Sequence, residues 1–300
     1  MSPPFRDRLF AALFTIGKAA TFLLAAVLLS SAVSVALAWL GVPAEIQTAV
    51  LALTAFAATW ICMRLFEGLS VWDAGLYWST RNTVWGLLGG LAMAGLVTLL
   101  PAATPAAEFV PAQPEPAYYV PVLAGAAAGE ELLTRGYLLL ILARLIRFWP
   151  AALLTSVLFG MGHLGNTAAS WASITNTVLA GLALAAAVYR TGELWFAIGM
   201  HFGWNLMLAL TGATLSGYQL ELFPVRLQYT MDEIWSGGRY GPEGGLLTTF
   251  AFLTWFLFVW KAPVERRPSV LLQPAAPPSN GSSSGAPSSP SRLSDPRAGL

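Results

Sequence analysis

Long apolar runs separated by short polar or Pro/Gly-containing connections constrain this chain more than any other feature. Hydrophobic residues make up 56% of the 300 residues and charged residues only 10%, well below the roughly 25% of a soluble globular protein. A helix that crosses about 30 Å of hydrocarbon needs about 20 predominantly apolar residues. Eight runs are expected to span the membrane: 19–40, 48–63, 83–100, 119–142, 150–164, 171–189, 194–210 and 245–260. We therefore predict an all-α, polytopic integral membrane protein that folds as a helical bundle.

The placement of lysine and arginine predicts how the chain crosses the membrane, because short cytoplasmic connections retain positive charge. Basic residues fall before the first run and after each even-numbered run: Arg6, Arg8, Lys18, Arg64, Arg81, Arg144, Arg147, Arg190, Lys261, Arg266 and Arg267. The connections after runs one, three and five contain none, and residues 211–244 contain two arginines against four acids. Eight spans with both termini in the cytoplasm are therefore expected.

The remaining segments carry no catalytic spacing. Residues 101–116 are rich in Pro and Ala and are expected to be irregular, whereas the aromatic-rich segment 211–244 could form a small interfacial cap. An integral membrane domain is predicted over 1–261, followed by a disordered Pro/Ser/Gly-rich cytoplasmic tail over 262–300. The net charge of +1 gives no basic field for nucleic acid, and the single cysteine, Cys62, excludes an intrachain disulfide.

Two acids and one base interrupt the fourth apolar run. Glu130, Glu131 and Arg135 have mostly apolar neighbours, and an ionisable group inside hydrocarbon is costly enough to indicate a function. On a helix, Glu131 and Arg135 share a face and can form an ion pair, which favours a supporting role because a paired carboxylate is a weak base. Glu130 projects about 100° away and lacks that partner. We therefore predict that Glu130 is the general base.

The only two histidines lie in later runs. His163 follows Phe159 by four residues, so both rings are expected on one helix face, and Gly160 and Gly162 are expected to let another helix approach closely. A single membrane histidine is at least as often an interhelical hydrogen-bonding residue as a catalytic one. The presence of Glu130 in the same chain favours a catalytic role.

His201 and Asn205 are also four residues apart and share a helix face. An imidazole and a carboxamide directed to one cavity are suited to stabilising an oxyanion. Trp204 lies between them and is expected to pack on the adjacent face. Together with Glu130 and His163, these residues predict one shared site within the bilayer.

The three motifs together resemble the CPBP family, the CAAX protease and bacteriocin-processing proteins that are also called the Abi family. The resemblance rests on three motifs, Glu130-Glu131-x-x-x-Arg135, Phe159-x-x-x-His163 and His201-x-x-x-Asn205. They occur in the family's order and on separate spans. Gly136-Tyr137-Leu138, Gly192-Glu193-Leu194-Trp195 and Asp73-Ala74-Gly75-Leu76 are also similar to family segments, so that the resemblance covers about 73–210.

The resemblance implies peptide-bond hydrolysis inside the membrane. Glu130 and His163 would activate water, His201 and Asn205 would stabilise the oxyanion, and Glu131 with Arg135 would support the site. The family has also been described as metalloproteases, in which case Glu130, His163 and His201 would bind Zn²⁺. The HExxH pattern is absent, so the sequence leaves a metal-free site and a zinc site open, and the metal-free mechanism is preferred here.

The sequence thus predicts an intramembrane endopeptidase that acts on a membrane-associated polypeptide. Prenylated CAAX proteins, bacteriocin precursors and other precursors remain equally open as substrates. A bacterial cell membrane is the expected location, and the lipid bilayer and the substrate are the expected partners. The alternatives are a scaffold or immunity protein with a relic site, and, less favoured because no paired broken helices are visible, a proton-coupled transporter.

Overall fold

The computed structural model describes residues 5–43, 47–267 and 269. Helices dominate these residues. The larger ones are α1 (Phe5–Trp39), α2 (Val50–Cys62), α3 (Thr80–Ala102), α4 (Tyr119–Arg135), α5 (Tyr137–Ile146), α6 (Phe148–Gly162), α7 (Trp171–Thr191), α8 (Trp195–Thr211) and α9 (Leu246–Lys261). One turn of π-helix, Met63–Glu67, continues α2, and a single helical turn, Glu233–Ser236, precedes α9. The prediction of an all-α helical membrane protein is confirmed.

Each predicted span corresponds to helical structure, but the lengths vary. Four helices in the described part of the chain are long and apolar enough to cross a membrane: Phe5–Trp39, Val50–Glu67, Thr80–Ala102 and Trp171–Thr191. Shorter apolar helices occur at Phe148–Gly162 and Leu246–Lys261. The exact number of crossings therefore stays a prediction.

The fourth predicted span is two helices, because the chain breaks at Gly136. Its N–H donates to Glu131 O at 3.0 Å, and its ψ of −122° ends α4 and starts α5 in a new direction. A Cβ at this position would collide with the carbonyl oxygen of Leu132. Only glycine fits there, so Gly136 separates the acidic motif on α4 from Tyr137 on α5.

Several connections between helices contain the basic residues that are predicted to lie on the cytoplasmic face. These connections contact one another at one end of the bundle, which we call the basic end. There Glu67 accepts from Lys18 at 2.7 Å, Arg144 at 2.9 Å and the Tyr137 hydroxyl at 3.1 Å. Arg190 donates to Ala262 O at 2.6 Å. The assignment of this end to the cytoplasm stays a prediction.

The opposite end is capped by a small antiparallel sheet of β1 (Ala107–Pro111) and β2 (Val225–Tyr229), with Phe109 opposite Leu227. The Tyr229 hydroxyl donates to Val97 O at 2.7 Å and attaches the sheet to α3. The expectation that 101–116 is irregular is therefore wrong over β1. The partner strand lies more than a hundred residues away, so no local pattern revealed this pairing.

Helices α3 and α8 pack backbone against backbone. Each contributes two glycines one turn apart, Gly86 and Gly90 on α3 and Gly199 and Gly203 on α8, and a Cβ on any of them would collide with backbone atoms of the other helix. Small residues at this spacing allow such close approach in membranes. His201 lies between the two α8 glycines, so this contact places its backbone.

The start of the predicted tail differs from the expectation. Residues 262–267 have no regular secondary structure but pack on the bundle: Glu265 exchanges hydrogen bonds with the Asn82 side chain at 2.8 and 2.9 Å, and Arg267 N donates to Thr191 O at 2.8 Å. These backbone groups find partners at the basic end, so the ordered domain extends past Lys261. Except for Ser269, the rest of the predicted tail lies outside the described residues.

Candidate active site

The site is organised around His201, which lies between the two glutamates of α4. Its Nδ1 is 2.9 Å from Glu131 Oε1 and its Nε2 is 3.6 Å from Glu130 Oε2. An ionised carboxylate only accepts hydrogen bonds, so the shorter contact places a proton on Nδ1. The longer contact exceeds hydrogen-bonding distance. One glutamate therefore orients the imidazole, and the other remains available beside its second nitrogen.

Arg135 forms the predicted ion pair with Glu131, and both side chains are fully buried. Arg135 Nη1 lies 3.2 Å from Glu131 Oε1 and donates to the Thr134 hydroxyl at 2.6 Å, and the guanidinium lies over the Phe159 ring at 4.4 Å. A Cβ on Gly181 of α7 would be 2.7 Å from Arg135 Nη2. The guanidinium thus occupies a tight space between α4, α6 and α7, which supports a structural role.

His163 follows the last residue of α6 and faces the same cavity as Glu130. Its ring packs edge-on against Phe159, with centroids 4.8 Å apart, and its Nδ1 lies 2.8 Å from Phe159 O. A carbonyl oxygen only accepts, so Nδ1 carries the proton and Nε2 of the neutral ring is left as an acceptor. Among the described ion pairs, Glu130 contacts His201 and not His163.

The close approach expected at the two glycines before His163 occurs at only one of them. A Cβ on Gly160 would be 2.7 Å from Val178 Cγ2 of α7, so α7 does approach α6 closely there. A Cβ on Gly162 would have no atom within 4 Å, and the expectation for this glycine is wrong. The two residues point in different directions on the helix, and only one faces α7.

A cavity of about 690 Å³ joins the predicted catalytic residues. Glu130, Phe159, His163, His201 and Asn205 all line it. His201 and Asn205 are each only 9% exposed, while the Glu130 side chain is 29% exposed. The described residues include no hydrogen bond to the Asn205 carboxamide, so its N–H groups are available to a substrate. The structure therefore brings the four predicted catalytic residues to one cavity.

Glu243 was not predicted, yet its carboxylate lines this cavity as well. It accepts from Trp204 Nε1 at 3.0 Å, Ser216 N at 2.5 Å and Ser216 Oγ at 2.8 Å. Trp204 is therefore more than a packing residue, because its indole connects α8 to the connection 212–245. The sequence feature that could have indicated this residue is an acid within Gly241-Pro242-Glu243-Gly244-Gly245, directly before the last apolar run.

Glu193 positions the start of the helix that carries His201. Its carboxylate accepts from Trp195 N at 2.6 Å and Phe196 N at 3.3 Å, and from Asn82 Nδ2 at 2.9 Å. Burial raises the pKa of Glu193 above its ordinary value of 4.5, while these hydrogen bonds act in the opposite direction. The acid thus caps α8 at the basic end and links it to α3.

Segment Asp73–Leu76 and segment Gly192–Trp195 contact each other. Leu194 N donates to Gly75 O at 2.8 Å, and Trp195 Nε1 donates to Leu76 O at 2.9 Å. Gly75 adopts the left-handed conformation with φ +94°, which favours glycine. None of these residues lines the cavity, so the contact stabilises the start of α8 without taking part in chemistry.

The side chains present do not fit a metal ion in this arrangement. Within residues 5–43, 47–267 and 269, no three His, Cys, Asp or Glu side chains converge as a metal site requires. His201 Nδ1 is engaged by Glu131, and Glu130 and His163, the other proposed zinc ligands, form no three-ligand set with it. The arrangement of these side chains therefore favours a mechanism without a metal.

Residues 112–207 match the family model described as Rce1-like, type II CAAX prenyl endopeptidase. The predicted family resemblance is confirmed. This Rce1-like segment contains Glu130, Glu131, Arg135, His163, His201 and Asn205. It covers about a third of the chain and excludes Asp73–Leu76 and Glu243. No curated protein and no solved structure matches the chain. The match supports an intramembrane endopeptidase and hence a polypeptide substrate in or at the bilayer.

Proposed function

We propose that the protein hydrolyses a peptide bond of a membrane-associated polypeptide, with Glu130 as the general base. One observation carries this proposal: Glu130 lies beside a histidine that a second, buried glutamate orients, and all the predicted catalytic side chains line one cavity. Water activation needs a general base that faces a partly water-shielded cavity. Here that base also lies beside an imidazole that another carboxylate holds in place.

In this mechanism, a water molecule occupies the cavity between Glu130 and His163. Glu130 accepts one proton of the water, and the free Nε2 of His163 accepts a hydrogen bond from the other. The oxygen then attacks the scissile carbonyl carbon, and the carbonyl oxygen becomes an oxyanion. Glu130 subsequently gives its proton to the leaving amine, so the base is regenerated and one water is consumed for each bond broken.

The oxyanion would be stabilised by His201 and Asn205. With Nδ1 bound to Glu131, a protonated His201 presents an Nε2–H to the cavity, and the Asn205 carboxamide presents a second donor. The charges of Glu130, Glu131, Arg135 and a protonated His201 cancel, which suits a region of low dielectric constant. The roles predicted for these residues thus gain support from their geometry.

The experiment is a cleavage assay with purified protein in liposomes and labelled membrane peptides, read by mass spectrometry of the products. Wild type is compared with Glu130→Gln and His163→Ala, and Glu108→Gln serves as the matched control, because Glu108 is an exposed acid on β1 away from the cavity. Cleavage by wild type and control, but by neither cavity variant, is expected. Equal cleavage by all four proteins would refute the proposed site.

The same assay tests the role of metal and the alternative functions. Activity that survives a zinc chelator is expected; loss on chelation with recovery on added Zn²⁺ would contradict the metal-free mechanism. A scaffold or immunity role predicts that Glu130→Gln leaves the cellular phenotype unchanged. Location in a bacterial cell membrane, and prenylated CAAX or precursor polypeptides as substrates, remain predictions.

A further inference from the structure

We propose that Glu243 is a positioning residue for the hydrolysis: its carboxylate holds the tight turn Leu215–Tyr218 against the cavity, and through this turn it fixes the segment that follows His163. This inference rests on the proposed endopeptidase function and adds a residue to it. Glu243 and the turn both lie outside residues 112–207, so the family match assigns neither of them.

The turn forms one side of the cavity. Leu215 N donates to Tyr218 O and Tyr218 N donates to Leu215 O, each at 2.8 Å. Leu215, Ser216 and Tyr218 line the cavity. Ser216 and Gly217 at the tip both have positive φ, +47° and +87°, a conformation that glycine adopts readily and serine does not. The turn therefore needs contacts outside itself to hold Ser216 in place.

Glu243 supplies these contacts. Its Oε2 accepts from Ser216 N at 2.5 Å and from Ser216 Oγ at 2.8 Å, and its Oε1 accepts from Trp204 Nε1 at 3.0 Å. None of the described ion pairs includes Glu243, and Arg239 of the same connection is exposed. The carboxylate is thus engaged by three neutral donors of the cavity wall. It joins the turn to α8 one residue before Asn205.

The backbone of Glu243 is itself fixed from α7. Asn176 is 2% exposed, and its Nδ2 donates to Glu243 O at 2.9 Å and to Gly245 O at 3.0 Å. Its Oδ1 accepts from the Thr249 hydroxyl at 2.7 Å. Both polar atoms of the Asn176 side chain therefore hold the start of α9. Glu243 presents its carboxylate from a fixed base, which a positioning role requires.

The tip of the turn touches the segment that follows His163. A Cβ on Gly217 would be 2.3 Å from Thr167 O, so the two backbones are in direct contact. Asn166 N donates to His163 O at 3.1 Å, which keeps Thr167 and His163 in one compact segment. On the other side of His163 there is no comparable contact, since a Cβ on Gly162 would meet no atom within 4 Å. The turn therefore limits the movement of His163 relative to α8.

Hydrogen exchange of the purified protein in detergent, read by mass spectrometry, tests the holding contact. All four backbone N–H groups of the turn are hydrogen-bonded. Glu243→Gln replaces one acceptor oxygen with an amide nitrogen, which cannot accept from Ser216 N or Trp204 Nε1. Exchange over 212–220 and 164–170 should accelerate about tenfold, because loss of a hydrogen bond to a charged group favours local opening. Unchanged exchange over 212–220 would overturn the inference.

Two further variants localise the effect. Glu233→Gln is the matched control and should leave exchange unchanged, because Glu233 is an exposed acid of the same connection that does not line the cavity. Ser216→Ala removes only the hydroxyl donor and should accelerate the same two segments by less. If Glu243→Gln exchanges faster everywhere, it has unfolded and Ser216→Ala decides. Faster exchange confined to the two segments in Ser216→Ala supports the inference, and unchanged exchange overturns it.

Peptide cleavage kinetics separate positioning from substrate binding. A misplacement of about 1 Å can cost about 10²-fold in rate, so Glu243→Gln should lower kcat at least about tenfold and change KM by less than about threefold. A loss confined to KM, or the same kcat as in Glu233→Gln, would overturn the inference. Exchange is independent of turnover: locally faster exchange in Glu243→Gln without cleavage by wild type would support the holding contact and refute the endopeptidase. Cleavage by wild type, with exchange and kcat unchanged in Glu243→Gln, would do the reverse.

Discussion

His201 Nδ1 lies 2.9 Å from Glu131 Oε1, so the glutamate that pairs with Arg135 also holds the histidine. This carboxylate is occupied by a guanidinium and an imidazole, which separates its role from that of Glu130. Glu131 Oε2 has no hydrogen-bond partner among the described residues, so the pair with Arg135 is engaged through one oxygen only. The site thus contains one orienting acid and one acid available for chemistry.

Replacement of Glu130 with glutamine should abolish most activity without unfolding the protein. The side chain is 29% exposed to the cavity and makes no buried ion pair with a guanidinium, so its neutral isostere fits. General bases typically contribute about 10²–10⁴ in rate, and a loss of that size in kcat is expected. Peptide cleavage rates and size-exclusion profiles measure the two effects; an unfolded or fully active variant would contradict the assignment.

Removal of Arg135 should destabilise the protein more than removal of Glu131 and Arg135 together. Arg135→Met leaves Glu131 buried beside His201 without its cation, a change that typically costs about 3–5 kcal/mol. The double variant Glu131→Gln, Arg135→Met removes both charges and should recover part of this loss. Thermal denaturation in detergent measures the loss of stability in each variant. If the loss in the double variant equals the sum of the losses in the two single variants, the two residues are not coupled.

Gly203→Ala should lower both stability and activity. The added Cβ would collide with the carbonyl oxygen of Leu87, forcing α3 and α8 apart next to His201, and overpacking of this kind typically costs about 1–3 kcal/mol. Gly95→Ala on α3 is the matched control, because its Cβ would meet nothing closer than Met207 Cε at 3.7 Å. Similar melting temperatures for both variants would contradict the backbone contact.

Glu193 should make stability depend on pH. Burial raises its pKa in the folded protein, so the folded state retains a proton more readily than the unfolded state above the ordinary pKa of 4.5. The unfolding free energy should therefore decrease as pH rises from 4.5 through the raised pKa. Glu193→Gln removes this group, and the difference in melting temperature between wild type and variant should change across that interval. A constant difference would show that Glu193 does not contribute.

The elements that sequence analysis predicted well are those set by local spacing. Glu131 and Arg135 pair because residues four apart share a helix face, and Phe159 and His163 contact for the same reason. The long apolar runs likewise predicted the helices, since hydrocarbon requires each one to satisfy its own backbone groups. The break at Gly136 was missed because a single glycine inside an apolar run is also compatible with a continuous helix.

Contacts between distant segments could not be predicted in the same way. Glu130 and His163 were expected to activate one water molecule together, and the sequence did not indicate that the direct neighbour of Glu130 is His201, since this depends on how α4, α6 and α8 are arranged. Glu243 is brought to the cavity by Trp204 and Ser216, which are separated from it along the chain. Charge and spacing alone do not specify such arrangements, because they depend on tertiary packing.

The backbone contact between α3 and α8 also determines which parts of the protein can move. Two helices that touch through their main chains have little freedom to slide or separate, so His201 and Asn205 belong to a stiff frame. His163 lies outside this frame, directly after the last residue of α6 and next to Gly162, where a Cβ would meet no atom within 4 Å. Opening for a substrate is therefore expected to move His163 relative to His201, so that closure around the peptide and assembly of the reactive geometry are one motion.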